Sequence, residues 1–199
     1  MAGYSGPKNK IAKRFNVNLW GRSVSPLGTK NTPSRGRKKS DFALQLEEKQ
    51  KLRYFYGGIR ERQFKRYFKE AKRQGGNIGN NFLTLLEKRL DVAVYRLNIA
   101  VTIFAARQFV SHGHILVNGK RVNIPSYSLK DGDEISVKEK SRSLPLIQSH
   151  INEPERSIPP YVFIDSQTLT GKFERLPERE EISYPFQLNE ALVIEFYSK

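Results

Sequence analysis

The spacing of apolar residues changes close to Gly113, and this change most constrains the fold. Before it, apolar residues recur every three or four positions, as on the buried face of a helix. After it they alternate, and Asn118-Gly119 is typical of a tight β-hairpin, because both turn positions take positive φ. The pattern predicts an α+β protein that is mostly helical at first and then forms a small antiparallel sheet with two helices packed on it.

Capping residues and glycines mark where the predicted helices begin and end. Ser40 or Asp41 at the first predicted helix, and Thr102 at the fourth, are suitable N-caps, since a side-chain oxygen can accept a hydrogen bond from a free backbone N–H. Glycines follow several apolar stretches, and glycine readily takes the left-handed conformation that ends a helix. The predicted helices are 41–56, 59–73, 80–97, 103–111 and a short one at 140–151. The predicted strands are 115–117, 121–124, 134–138, 161–164 and 170–173; the tail, 189–197, fits either period, and we favour a short helix.

Charge is distributed very unevenly along the chain. Residues 1–75 contain 20 Lys or Arg and 5 Asp or Glu, which accounts for the whole net charge of +15. Residues 76–199 contain 15 of each kind and are neutral overall. Such an excess indicates a polyanionic partner, either a nucleic acid or an anionic membrane surface. Its restriction to one part of the chain indicates a defined partner surface.

The first 39 residues are predicted to form a basic irregular arm. Prolines and glycines interrupt this segment, and Asp41 is the first acidic residue of the chain. A sequence of this kind buries too little apolar area to order itself in water, but RNA phosphates can order it. Phe15 and Trp20 are open to two interpretations, stacking on bases or packing against protein.

The predicted helix 59–73 has one apolar face, and the rest of its surface is strongly basic. Its seven Lys and Arg residues are opposed only by Glu61 and Glu70. A helix face that is merely solvated has acids spaced to pair its bases. Unmatched bases repel one another unless a polyanion neutralises them, so the pattern favours nucleic-acid contact over a solvated face.

The stretch from Leu90 to Val137 predicts a small basic module. A capped helix offers free N–H groups and a positive end to a phosphate. Arg107, placed on the exposed side of that helix, can fork onto a phosphate or stack on a base. Lys120 and Arg121 extend from the neighbouring hairpin. A shallow basic surface of this kind suits folded RNA, which is recognised through its backbone and 2′-hydroxyl groups.

Several blocks of the sequence resemble one protein family. The segment LDVAVYRLNIAVTIFAARQFVSHGHILVNGKRVNIPSY, with LKDGDEISV after it, resembles the small RNA-binding fold named after ribosomal protein S4. The opening MAGYSGPKNKIAKRF, the blocks SDFALQLEEKQKLRYFYG and ERQFKRYFKEA, and the closing VIEFYSK resemble the bacterial-type small-subunit ribosomal protein S4 family. These blocks stand in family order and cover nearly the whole chain.

The resemblance implies a structural protein of the small ribosomal subunit and not an enzyme. Family members bind a multi-helix junction of small-subunit ribosomal RNA early in assembly. They contact mRNA where it enters the ribosome, and a neighbouring ribosomal protein at an interface that affects decoding accuracy. The expected location is a ribosome, in a bacterial cytoplasm or in the matrix or stroma of an organelle with bacterial-type ribosomes.

The resemblance also implies three parts and a set of RNA contacts. The parts are the basic irregular arm at 1–39, a helical rRNA-binding domain at 40–88 that the C-terminal segment 180–199 rejoins, and a small α/β RNA-binding module at 89–179 with an extra hairpin. The implied rRNA contacts are Lys49, Lys51, Arg60, Arg62, Lys65, Arg66, Lys69, Arg73, Arg107, Gln108, His112, Lys120 and Arg121. For the arm we add Lys8, Lys10, Lys38 and Lys39.

No metal, cofactor or small-molecule substrate is expected. Many members of the family hold zinc with cysteines in the first 40 residues, but this chain has no cysteine. Its arm is therefore expected to order on RNA. Residues 30–39 depart from the family's Pro-Gly-Gln-His-Gly run and are the weakest part of the resemblance. His112 and His114 lack the further ligands that a metal site needs, and Gly75–Gly79 lacks the Lys-Ser/Thr ending of a phosphate loop.

Other functions fit the residues less well. An RNA-modifying enzyme would need a catalytic domain beside the small module, and a DNA-binding or chaperone-like protein would need a recognition helix or a dimer seam. Binding to a membrane surface is disfavoured, because the fold needs the aromatic residues of the basic helices for its core. An organelle transit peptide shares the acid-free, basic start, but the family resemblance begins at Met1, which favours retention of this segment.

Overall fold

The computed structural model describes residues 6–21, 27, 39–152 and 156–198, without the side chains of 149–152. It divides into two compact units, one formed by Met1–Gly79 with Tyr184–Lys199 and the other by Asn80–Ser183. In the described residues the α-helices are α1 Lys8–Phe15, α2 Asp41–Phe55, α3 Glu61–Arg73, α4 Ile78–Glu87, α5 Leu90–Arg96, α6 Ile103–His112, α7 Glu139–Arg142, α8 Pro145–Asn152 and α9 Glu190–Ser198. The strands are β1 Ile115–Val117, β2 Lys120–Arg121, β3 Glu134–Val137, β4 Val162–Asp165 and β5 Thr170–Phe173, and a 3-10 helix spans Arg179–Glu181. The predicted α+β class is confirmed.

The helix α1 corrects the prediction that the arm is irregular throughout. Ile11, Ala12 and Phe15 fall on one face of this short helix and are buried. Asn16 ends it in the left-handed conformation, with φ of 51°. Phe15 packs against Tyr54 of α2, with 6.2 Å between ring centroids. Most of the remaining arm, 22–26 and 28–38, lies outside the described residues.

The first unit is built around α2, α3 and α9. Of the two candidate N-caps, Ser40 caps α2 through its hydroxyl, which accepts a hydrogen bond from the Ala43 N–H at 3.4 Å. Phe64 and Phe68 of α3 are buried, and the ring of Tyr197 on α9 lies 4.9 Å from that of Phe68. The C-terminal tail is therefore a helix, in agreement with the preferred interpretation of its ambiguous pattern.

The predicted helix 80–97 is wrong as a single element, because α4 and α5 are separate. Between them Arg89 forms an isolated bridge with Ser128. At the start of α5 the Leu90 N–H donates to Tyr127 O at 2.9 Å, and the Asp91 N–H donates to Pro125 O at 3.1 Å. These carbonyls belong to a loop distant in sequence, so tertiary structure interrupts a continuous apolar period. The predicted helix 140–151 is likewise divided, into α7 and α8.

The second unit contains one five-stranded antiparallel sheet in the order β2-β1-β3-β5-β4. The Asn118-Gly119 turn joins β1 to β2 as predicted, with Asn118 at φ 49° and Gly119 at φ 72°. The hairpin of β4 and β5 joins the same sheet, because β5 pairs with β3. Gly171 of β5 faces Leu97, and a Cβ atom at Gly171 would lie 2.7 Å from Leu97 Cδ1. Glycine thus lets the chain just beyond α5 lie close against the sheet.

Candidate nucleic-acid interface

The exposed side of α3 carries the strongest concentration of positive charge in the first unit. Phe64, Phe68 and Ala71 are buried on the opposite side. We call the exposed cations the α3 basic face; its members are Arg60 at the N-cap, Arg62, Lys65, Arg66, Lys69, Lys72 and Arg73. From Arg62 to Arg73 this face extends about 16 Å along the helix at 1.5 Å per residue. It is long enough to contact several phosphates.

The two acids of α3 neutralise little of this face, because Glu61 is used in contacts with α2 and α9 and Glu70 pairs with Arg73. Glu61 accepts hydrogen bonds from Lys49 at 3.1 Å and from the Tyr197 hydroxyl at 2.7 Å. Burial raises the pKa of Glu61, but these hydrogen bonds and the charges of Lys49 and Arg53 outweigh it, and the pKa lies below 4.5. Glu61 is therefore a fixed carboxylate that attaches α2 and α9 to the start of α3.

Glu70 pairs locally with Arg73. Its carboxylate accepts hydrogen bonds from Arg73 Nη2 at 2.7 Å and Nε at 3.0 Å. The Arg73 hydrogen bonds lower the pKa of Glu70. Within the described part of the chain, no carboxylate lies within ion-pair distance of the other α3 cations, which are Arg62, Lys65, Arg66, Lys69 and Lys72. The positive charge of α3 is thus mostly unmatched.

Two of the predicted contacts on α2 are corrected. Lys49 is only 5% exposed; its ammonium lies 4.1 Å from the Phe196 ring centroid and pairs with Glu61. Lys51 is half-buried and pairs with Glu48 at 2.6 Å. Both cations stabilise the helical unit, and neither presents a free charge to RNA.

The arm contributes a second basic helix face. Of the predicted contacts on α1, Lys10 is exposed and Lys8 is half-buried. Lys13 and Arg14 are also exposed on α1, and the sequence interpretation missed them. The spacing of Ile11, Ala12 and Phe15 was the signal for a helix with these cations outside.

Of the remaining arm residues, Lys39 is exposed and forms an ion pair with Glu47. Lys38 lies outside the described residues. The indole Nε1–H of Trp20 donates to Tyr54 O at 3.3 Å, and both Trp20 and Phe15 are buried. Of the two interpretations left open for these aromatic residues, packing against protein is therefore correct.

In the second unit, the end of α6 and the β1–β2 hairpin present four predicted contacts at the surface. Gln108, His112, Lys120 and Arg121 are all exposed. Arg121 reaches back to α6, with 3.5 Å between its Nη2 and His112 O. A Cβ atom at Gly113 would lie 2.1 Å from Arg121 Nε, so the guanidinium lies directly over this glycine. Arg121 therefore lies beside the end of α6, next to His112.

Arg107 does not lie on the exposed side of α6, which corrects the prediction. It is half-buried and donates to Asp91 Oδ2 at 3.1 Å. Arg89, which is 1% exposed, binds the same carboxylate through Nε at 2.9 Å and Nη2 at 2.6 Å. A completely buried carboxylate needs such partners, and Arg107 is one of them.

The start of α6 is less open to a phosphate than the sequence predicted. Thr102 caps the helix, and its hydroxyl oxygen accepts a hydrogen bond from the Ala105 N–H at 3.1 Å. The Ala106 N–H donates to Thr102 O at 2.9 Å. These N–H groups are therefore used within the cap.

A second buried ion pair was not anticipated from the sequence. Glu87 is fully buried and accepts hydrogen bonds from Arg96 at 2.7 and 3.0 Å and from the Tyr161 hydroxyl at 2.8 Å. Arg96 and Arg89 lie in or next to the segment that the sequence predicts to be an RNA-binding module. Their guanidinium groups nevertheless pair with carboxylates in the core. Only the spatial position of Tyr161 and of the paired acids identifies these arginines as structural.

The described residues contain no group of three or more His, Cys, Asp or Glu that could hold a metal ion. His112 and His114 lie close together, with 6.1 Å between ring centroids. Among the described helices, none has the length and apolar character required to cross a membrane.

Comparison with known proteins identifies the family of this chain. Residues 3–87 match the family described as "Ribosomal protein S4/S9 N-terminal domain", and residues 88–135 match the S4 domain. The chain is 48% identical over 197 residues to "Small ribosomal subunit protein uS4" of Acidiphilium cryptum, which covers 96% of this chain and 97% of that protein. The protein of the same name from Paramagnetospirillum magneticum is 50% identical over 198 residues, with the same coverage. The chain therefore belongs to the uS4 family of small ribosomal subunit proteins.

Proposed function

We propose that this chain is a structural protein of the small ribosomal subunit that binds ribosomal RNA at a multi-helix junction. The observation that carries the proposal is the α3 basic face, a row of exposed cations most of which have no ion-paired carboxylate in the described part of the chain. The names of the relatives support the ribosomal location. Because the family is one of structural proteins, the chain is not an enzyme.

The mechanism of binding is electrostatic positioning by rigid elements. Lys and Arg that neutralise phosphates release condensed counterions, so binding of this kind depends steeply on salt. The other side of α3 is buried, so the helix backbone is already ordered before binding. Little backbone freedom is therefore lost when the α3 cations contact phosphates. Selectivity for a junction arises when such fixed cations match the positions of phosphates in folded RNA.

The rRNA contacts in this proposal come from three elements. In α3 they are Arg60, Arg62, Lys65, Arg66, Lys69, Lys72 and Arg73. In and near α1 they are Lys8, Lys10, Lys13, Arg14 and, at the end of the arm, Lys38 and Lys39. In the small module they are Gln108, His112, Lys120 and Arg121.

The finer role is an early one in subunit assembly. A protein that fixes a junction with many phosphate contacts can order RNA helices before other proteins bind, and we propose that this chain nucleates assembly in this way. We further propose that it contacts mRNA where it enters the ribosome and contacts a neighbouring ribosomal protein, and thereby contributes to decoding accuracy. The family resemblance supports these roles.

The test is binding of the full chain to a fragment of small-subunit rRNA that contains the junction, compared with scrambled RNA of equal length, over a salt series. Tight, junction-selective binding that persists at moderate salt is expected. Equal affinity for both RNAs, lost together as salt rises, would mean that the basic surface attracts any polyanion, and would refute junction recognition.

A further inference from the structure

A compact group of polar side chains meets where α6 ends and where β3 leads into α7. The Nδ1 atom of His114 lies 2.9 Å from the Ser141 hydroxyl oxygen. The backbone carbonyl of His114 accepts a hydrogen bond from the Lys138 N–H at 2.8 Å. We call this group the His114 cluster; its members are His112, His114, Arg121, Lys138 and Ser141.

Gly113 allows Arg121 to reach this place. The glycine takes φ of 74° as the C-cap of α6, a conformation that side chains with a Cβ adopt at a cost. A Cβ atom there would also lie 2.5 Å from Arg121 Nη2, which excludes other residues without movement of the guanidinium. Gly113 thus leaves room for the Arg121 guanidinium beside the end of α6.

The cluster collects positive charge from separate elements and includes no carboxylate. His112 comes from α6, Arg121 from β2 and Lys138 from the segment after β3. Glu139 is the first residue of α7, but its side chain is exposed, and the charges that act on His114 are those of His112, Lys138 and Arg121. In the described part of the chain, none of these cations is ion-paired with a carboxylate.

Burial and then these neighbouring charges lower the pKa of His114 below its ordinary 6.5. In the free protein His114 is therefore neutral at pH 7, and the surrounding cations repel one another. An anion bound in the cluster would raise the pKa of His114, because an opposite charge favours the protonated imidazole.

We propose that the His114 cluster binds one backbone phosphate of RNA together with one proton, which His114 takes up. The proposal rests on the proposed function, because the phosphate belongs to the RNA that the module holds. It adds a dependence on pH that Arg121 and Lys138 alone do not have, since Arg and Lys stay charged near neutrality. It also gives Lys138 and Ser141 a role that neither the sequence pattern nor the family resemblance indicated.

The sign of the pH dependence follows from linkage. Binding raises the pKa of His114, so the complex holds more protons than the free protein at pH values between the free and bound pKa. Affinity for RNA consequently rises as the pH falls through the pKa that His114 has in the complex. It becomes constant below the pKa that His114 has in the free protein. A difference of one pKa unit corresponds to about a tenfold change in affinity.

The first experiment measures the affinity of the full chain for the rRNA junction fragment from pH 8.0 to 5.5 at constant ionic strength. The wild type is expected to bind about tenfold more tightly at the acidic end. His114→Gln keeps a group that can hydrogen-bond Ser141 but cannot take up a proton, and it should lose this dependence. The matched control is His150→Gln, which removes a histidine 36 positions further along the sequence and should retain the pH dependence. A His114→Gln chain with the full wild-type dependence would overturn the proposal.

The second experiment uses sulfate, an anion whose own charge does not change in this pH range. The histidine pKa values of the free protein are measured by NMR in sodium chloride and in sodium sulfate at equal ionic strength. Sulfate should raise the pKa of His114, and it should do so less in Arg121→Gln. An unchanged pKa of His114 in sulfate would overturn the phosphate site. Because this measurement contains no RNA, it separates the site from junction recognition, which fails if junction and scrambled RNA bind equally.

Discussion

The triple substitution Lys65→Gln, Arg66→Gln and Lys69→Gln tests the central claim about the α3 basic face. Each contact with a phosphate contributes about 0.7 to 0.9 to the slope of log affinity against log salt concentration. Loss of three contacts should therefore reduce the slope by about 2 to 3. Between 50 and 200 mM salt, wild-type affinity should fall about 30-fold more than that of the variant.

The same substitution should leave the fold intact. These side chains are exposed, and their removal also relieves like-charge spacings at i+3 and i+4 along α3. Such pairs each cost about 0.2–0.5 kcal/mol, so the free energy of unfolding should stay constant or increase by about 1 kcal/mol. Circular dichroism and urea unfolding measure the helix content and the stability. Fluorescence anisotropy with the rRNA junction fragment measures the affinity.

The matched control is Lys130→Gln, Lys140→Gln and Lys172→Gln, which removes the same charge from exposed positions of the second unit. If binding depends only on net charge, both triple variants will lose the same slope and the same affinity. If the α3 basic face is a specific surface, the control will keep nearly the wild-type slope. Equal slopes in the wild type and the α3 variant, or unfolding of the α3 variant, would refute the reasoning.

Three further predictions concern the groups that stabilise the two units. Arg96→Met leaves the Glu87 carboxylate buried without its cation and should lower the free energy of unfolding in urea by about 3–5 kcal/mol. Adding Glu87→Leu to the same chain should restore part of this loss. A cost near zero would show that the pair is not desolvated. Tyr197→Phe removes the hydrogen bond to Glu61 and should cost about 1–2 kcal/mol, whereas an unchanged midpoint would mean that α9 is held by packing alone. For His114, a native pKa below the unfolded value of 6.5 means that the unfolded chain binds more protons, so stability should decrease as pH falls below about 6.5. His114→Gln should show less of this decrease, and an identical pH profile would contradict the assigned pKa shift.

Local sequence signals predicted most elements, because the relevant forces act between near neighbours. The hydroxyls of Ser40 and Thr102 cap helices at the predicted places, and Asn118-Gly119 forms the predicted turn. The break between α4 and α5 was missed, since the carbonyls that receive the Leu90 and Asp91 N–H groups come from residues 125–127. A continuous apolar period gives no sign of partners so far away along the chain.

The candidate site also has a part that local sequence predicts and a part that depends on tertiary structure. The α3 basic face follows from the spacing of charges on one helix, and exposure of its cations needed no long-range information. Lys49, Lys51 and Arg107 resemble these cations in the sequence, but carboxylates from other positions hold them inside or against the protein. The difference between a contact and a structural cation is decided by which acid lies beside it.

By itself the sequence determined the α+β class, the order of most helices and strands, the concentration of positive charge near the N-terminus and the family. These depend on residue type and on spacing within a few positions. Only the tertiary structure decided that Arg89 and Arg96 are buried partners of acids, that α1 packs on α2, and that His114 lies near the charges of Arg121 and Lys138. Burial and electrostatic interaction depend on distances through space, and residues far apart in the sequence set those distances.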